Sequence, residues 1–216
     1  KDSNSIGRME QIINQRGIKK MEKVKVKTAT GIYEGMRDIY DVCHFLGIQY
    51  AHIPGRWKKA EPMPPSDEEI SALQYGPACW QEIWPEEYDE IPLMSEDCLS
   101  LNIWVADPET AGKPVMVWIH GGANATGSNR IDCCIYCGDL FVKDNPDIIY
   151  VNINYRLNVF GSMDFSEIDK TGEYKDSNNL QILDQIAALR WIYENIASFG
   201  GDRNNITVFG QSAGAY

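Results

Sequence analysis

Apolar and polar positions alternate from Val24 to Met36 and are interrupted at Gly31, which predicts a hairpin of two short strands with polar outer faces. A further strand and turn are expected within Ile39 to Tyr50. From Pro54 to Pro92 the period is lost: prolines recur between Trp57, Trp80 and Trp84, and the pattern predicts long surface loops, not a second domain. Leu99 to Val105, Val115 to Ile119 and Ile148 to Asn154 then read as strands. The last two are nearly continuously apolar, as strands covered on both faces are. Leu180, Leu183, Ala187 and Trp191 recur at helical spacing, so a helix is expected over Asn178 to Ile196. A buried strand, Ile206 to Phe209, follows. Strands joined by helical crossovers imply an α/β fold: a mostly parallel sheet with helices on both faces, preceded by the antiparallel hairpin.

Two segments carry chemistry. The strand at Ile206 to Phe209 runs into Gly210-Gln211-Ser212-Ala213-Gly214, a Gly-x-Ser-x-Gly string that sets a serine on a sharp strand-to-helix corner. Gly210 and Gly214 flank the serine where the backbone must be tight and neighbours pass closely. A serine alcohol is a weak nucleophile and needs a base, a group that orients the base, and donors for the oxyanion. The donors are suggested directly after strand Val115 to Ile119, in His120-Gly121-Gly122-Ala123-Asn124. Amides of Gly122 and Ala123, joined by that of Ala213, would form an oxyanion site. Either motif alone is also compatible with a turn chosen for packing. Both together, on strand ends and in this order, point to acyl transfer.

Composition narrows the field. With 216 residues the chain suits one domain, with residues 1–22 as an extension and 23–216 as part of a catalytic domain. A net charge of −11 argues against nucleic acid and anionic membranes as partners. No apolar run reaches bilayer length, and the first residues lack the apolar middle of a secretion signal, so a cytoplasmic setting is the default expectation. Cys133-Cys134-Ile135-Tyr136-Cys137 contains a C-x-x-C without a second cluster, so neither a metal nor a cofactor is expected. The sequons at Asn124 and Asn205 sit on the oxyanion loop and before a strand read as buried, and are taken as chance.

Trp118 to Ala123, Asn154-Tyr-Arg-Leu157, Asp184-Gln185 with Ala188 to Trp191, and Phe199 to Gly214 resemble the type B carboxylesterase / cholinesterase family of α/β-hydrolases. Glu96 to Trp104 is similar to a second signature of that family, and the likeness runs from about Thr28 to the end. It implies a serine esterase that acts on small carboxylic esters through an acyl-enzyme, without a cofactor. Ser212 would be the nucleophile, and Gly122, Ala123 and Ala213 the oxyanion donors. Arg56 with Glu96 and Arg156 with Asp184 match structural ion pairs. Cys79 and Cys98 match positions joined by a disulfide in secreted relatives, and would stay thiols in a cytosolic chain.

Five positions depart from the family pattern. Ala123 stands for a glycine, though its amide still donates, and Asn124 for an aromatic, which implies a more polar or wider acyl pocket. Gln211 stands for a glutamate, which disfavours selectivity for cationic choline esters, and Ser100 and Ala106 are off the second signature. The resemblance also implies an acid and a histidine downstream of the serine. The histidines here are His44, His52 and His120, all upstream, so the expectation is an N-terminal portion of a longer enzyme, inactive alone. The alternatives are a non-catalytic cholinesterase-like adhesion module and an inactive gene fragment.

Overall fold

The computed structural model describes residues 21–83, 92–130 and 138–216. Its strands are β1 (Glu22–Thr28), β2 (Gly31–Arg37), β3 (Cys43–Gln49), β4 (Ala51–His52), β5 (Glu61–Pro62), β6 (Glu69–Ser71), β7 (Ala78–Cys79), β8 (Met94–Ser95), β9 (Ser100–Val105), β10 (Lys113–Ile119), β11 (Ile149–Ile153) and β12 (Gly201–Gly210). The α-helices are α1 (Gly138–Asp144), α2 (Asn158–Gly161) and α3 (Leu180–Asn195), with short 3₁₀ turns on either side of α3 and after β12. Among the described residues no helix is long and apolar enough to cross a membrane. The C-x-x-C segment, and residues 1–20 of the expected extension, lie outside the described residues.

The principal sheet runs β1-β2-β3-β9-β11-β10-β12. The first hairpin forms as its alternation predicts, with Val26 opposite Tyr33 in an antiparallel register. Pairing stays antiparallel through β3, β9 and β11, then becomes parallel for β11-β10-β12. The sheet is therefore mixed, and its parallel strands are those that carry the two chemical motifs.

Period-two alternation sorts the strands onto two cores. Val115, Val117 and Ile119 of β10 and Ile149, Val151 and Ile153 of β11 pack with Ala188, Trp191 and Ile192 of α3. On the opposite face Trp104, Trp118 and Tyr150 pack with Val142 of α1. Covering on both sides explains why these strands read as continuously apolar.

Two expectations need correction. The Pro-rich stretch holds short strands as well as loops. β3 follows β2 only along Met36 and Arg37, and β6 takes its place along Ile32 to Glu34 as a parallel neighbour. Such pairing is set by a vacant edge far away in sequence, which local pattern does not register. The strand expected at Ile206 to Phe209 is longer and is not buried: Val208 is 45% exposed, and Asn205 faces solvent. Among the described residues β12 pairs with β10 alone, so its other edge is open.

Both ion pairs implied by the resemblance are made. Arg56 donates Nε to Glu96 Oε2 at 2.8 Å and its Nη2 to the other oxygen, at the surface. Arg156 grips Asp184 in the interior with Nε and Nη2, both at 2.7 Å. Cys79 and Cys98 are buried free thiols. A hydrogen bond from Cys98 holds the Cys79 thiol below its usual range, whereas that bond and burial push Cys98 up. The backbone amide of Leu157 donates to Cys79 Sγ at 3.3 Å.

Candidate active site

Parallel pairing of β10 with β12 aligns Ile119 with Gly210, so the segments that follow the two strands leave the sheet side by side. The two motifs meet there. A Cβ placed on Gly121 would lie 3.1 Å from Ser212 Cβ and 2.6 Å from the Gln211 carbonyl oxygen. The Gln211 amide donates to the Ile119 carbonyl at 3.4 Å, and the Gly214 amide closes the turn onto Gln211 O at 3.0 Å. A Cβ on Gly214 would strike the carbonyls of Ile119 and His120, and one on Gly210 would strike that of Gly214, which is the close passage expected of both glycines.

Ser212 is exposed and takes φ 52°, a left-handed conformation that costs an L-residue about 1–2 kcal/mol. Of the six non-glycine residues with positive φ among those described, four (Ala123, Asn124, Asn158 and Ser212) lie at this rim. Strain of this kind persists only where the surroundings enforce it, and it clusters at functional sites. Among the described residues no acceptor takes the amides of Gly122, Ala123 or Ala213, which leaves them available to an incoming oxyanion.

The loop that presents Gly122 and Ala123 is held at several points. Its own turn is closed by amides of Ala125 and Thr126 donating to Gly122 O at 2.9 and 3.0 Å. Gln81 clamps Gly127, accepting from its amide at 2.5 Å and donating to its carbonyl at 2.8 Å. The Asn158 amide donates to Asn124 O at 2.7 Å. Beyond the loop, the Asn129 amide donates to Asn154 Oδ1, and the side-chain amides of Asn102 and Asn152 both donate to the Asn129 carbonyl, at 3.2 and 3.0 Å, which ties it to β9 and β11. Sequence reasoning missed Gln81 and Asn158 as supports. Tyr155 and Asn154 lay inside a quoted motif, but their partners were invisible there.

His120 is fully buried, stacked on Tyr155 with ring centroids 4.5 Å apart, and Tyr155 Oη donates to the His120 carbonyl at 2.8 Å. Its Nδ1 lies 2.8 Å from the Gly121 carbonyl, which can only accept, so the proton sits on Nδ1. Burial lowers its pKa to about 4, against the opposing effect of the Gly121 bond. The imidazole is therefore neutral at pH 7 and acts as a brace for the turn. His52 pairs at the surface with Glu61 at 3.3 Å, and His44 lies 3.6 Å from Asp139. Among the described residues no imidazole is hydrogen bonded to Ser212.

The buried His120 has a consequence for acid stability. An unfolded chain protonates His120 near pH 6.5, while the folded one resists until about 4. Between these values the unfolded state binds more protons, so stability present above pH 6.5 is lost as pH falls through the window. The loss from this residue is expected to be about 3 kcal/mol. Urea unfolding of the wild type and of His120→Gln at pH 7 and pH 4.5 measures it, and an equal drop in both would remove His120 as the cause.

Comparison with known proteins agrees with this geometry. A sequence profile of the Carboxylesterase family matches residues 22–216. The chain is 40% identical over 197 residues to a para-nitrobenzyl esterase of Bacillus subtilis (strain 168), covering 89% of this chain and 37% of that protein. It is 38% identical to an acetylcholinesterase of Bungarus fasciatus, over 89% of this chain and 33% of the relative. A solved esterase from the anaerobe Clostridium hathewayi, described as able to hydrolyse aliphatic aromatic polyesters, superimposes with a TM-score of 0.79 at 35% identity, covering 90% of this chain and 40% of that one. The chain thus spans about a third of the length of the curated relatives it matches.

Proposed function

Because this chain belongs to the carboxylesterase family, we propose that it supplies the nucleophile and the oxyanion site of a serine carboxylic ester hydrolase. Ser212 Oγ attacks the ester carbonyl and gives its proton to a base. The amides of Gly122, Ala123 and Ala213 take up the negative charge that develops on the carbonyl oxygen. Collapse expels the alcohol, which is protonated by the conjugate acid of that base, and leaves an acyl-serine. Water, activated by the same base, then releases the carboxylic acid.

The observation that carries the reading is the convergence of the Gly121 to Ala123 turn with Ser212, at 3.1 Å between a Gly121 Cβ position and Ser212 Cβ. The base is not His44, His52 or His120, each of which is engaged elsewhere. It is a histidine outside these 216 residues, aligned by an acid also outside them. The greater length of the matched relatives supports this. An adhesion module is disfavoured, since a purely structural corner gains nothing from a strained, exposed serine beside a turn whose amides lack acceptors.

The substrate is a small carboxylic ester with an uncharged alcohol. Gln211 in place of an acid leaves no carboxylate at the corner to attract a cation. Hydrolysis of p-nitrophenyl acetate and butyrate by the protein that contains this chain, and its loss in Ser212→Ala, tests the proposal.

A second variant probes the convergence itself. Gly121→Ala would push its Cβ against Gln211 and Ser212, displacing the serine from the amides. The expected loss in kcat is about 100- to 1,000-fold, the scale of a spoiled oxyanion site. Unchanged kcat would mean that the two turns do not cooperate.

A further inference from the structure

At the opposite end of the sheet lies a group that the esterase chemistry does not use. His44 on β3 is level with Trp104 on β9, and Trp104 with Tyr150 on β11. Ser212 follows the other end of the sheet, where Ile153, Ile119 and Gly210 align. Asp38 stands in the turn between β2 and β3, and Asp139 in the first turn of α1, which packs on Trp104 through Gly138. One ligand atom from each of Asp38, His44 and Asp139 lies within 4.8 Å of the others.

The details favour a ligand. Asp139 Oδ1 is shielded from solvent and has no hydrogen-bond partner, and the nearest opposite group is His44 Nδ1 at 3.6 Å, beyond hydrogen-bond range. The side chain as a whole is 37% exposed, so it is this one oxygen that lacks a partner. Asp38 Oδ1 accepts the amides of Tyr40 at 2.8 Å and Val42 at 3.0 Å, which fixes its carboxylate in place. The nearby cations are turned elsewhere. Arg37 bonds Asp41 and the Ala106 carbonyl, and Lys143, one helical turn beyond Asp139, sits over the Tyr40 ring at 4.8 Å.

We propose that Asp38, His44 and Asp139 bind a divalent transition-metal ion of the zinc type, with water completing the shell. One imidazole with two carboxylates suits Zn²⁺ or Co²⁺, whereas Ca²⁺ and Mg²⁺ take oxygen ligands. Tetrahedral bonds of about 2.0–2.1 Å give ligand–ligand edges of about 3.3 Å, close to the His44–Asp139 spacing. Because the site is on the rim away from Ser212, its role is structural: it ties the β2–β3 turn to α1 across the face that carries Trp104. The ligands are scattered at 38, 44 and 139, so no spacing motif announced them, and the sequence expectation of no metal looked only at the cysteines.

Titration of the metal-free full chain with Co²⁺, read by its visible d–d bands, and with Zn²⁺ by competition against a chromogenic chelator, tests the site. One equivalent is expected to bind, and saturating Zn²⁺ to raise the Tm by about 5 °C. His44→Gln and Asp139→Asn are each expected to weaken binding at least about 100-fold and to abolish the Tm shift. Asp38→Asn provides a third reading if either fails to fold. Binding that survives these variants overturns the proposal. So does a thiolate-to-cobalt charge-transfer band that disappears when Cys133, Cys134 and Cys137 become serine. Absence of binding overturns it as well, leaving His44 as a plain ion-pair partner of Asp139.

Discussion

Ser212→Ala is expected to lower kcat for p-nitrophenyl butyrate by about a millionfold in the protein that carries this chain with its base, leaving KM nearly unchanged. The size follows from the division of labour. Without Oγ no acyl-enzyme forms, and only binding and the amides of Gly122, Ala123 and Ala213 remain to act on the uncatalysed attack of water. The alanine keeps the left-handed backbone at φ 52°, so the fold should be undisturbed. Ser212→Gly sharpens the test, because glycine adopts that conformation freely. It should be as inactive as the alanine variant yet more stable by about 1 kcal/mol, as measured by urea unfolding. Retained turnover in either variant would remove Ser212 from the mechanism, and an unchanged stability in the glycine variant would show that the corner is not strained.

Asp184→Ala is expected to be the most destabilising simple substitution considered, at about 3–5 kcal/mol. Arg156 and Asp184 have side chains only 2% and 0% exposed. Besides the two guanidinium bonds, Asp184 accepts the Arg156 backbone amide at 3.2 Å, while Arg156 Nη1 donates to the Lys58 carbonyl at 2.7 Å. Truncating the aspartate strands a guanidinium in the interior, and that desolvated charge is the main cost. Loss on this scale is a large part of the 5–15 kcal/mol that typically holds a domain together. The control is the double variant Arg156→Met with Asp184→Leu, which removes both charges and should regain most of the stability. A double variant as unstable as the single one would show that the bonds matter more than the unpaired charge. Glu96→Ala breaks the related surface pair, where the side chains are 54% and 34% exposed, and should cost under about 1 kcal/mol in the same assay.

Sequence was sufficient wherever the cause is local. The hairpin from Val24 to Met36, the apolar strands at Val115 to Ile119 and Ile148 to Asn154, and the helix at Asn178 to Ile196 follow from periodicity, because burial of alternate or helical-spaced residues is what forms them. Ser212 and the His120 to Ala123 turn were legible because glycine and serine in that order have few uses on a strand end. What failed in sequence was everything that depends on a distant partner. β6 exists because β2 has a vacant edge, Gln81 matters because Gly127 lies beside it, and the exposure of Val208 reflects the open edge of β12. The sequence by itself thus determined which segments become the main strands and the long helix, and which residues are proposed to bear the chemistry. Only the tertiary structure decided that Ile119 and Gly210 share a register, and with it the approach of Gly121 to Ser212, since strand pairing is a contact between segments that no local pattern encodes.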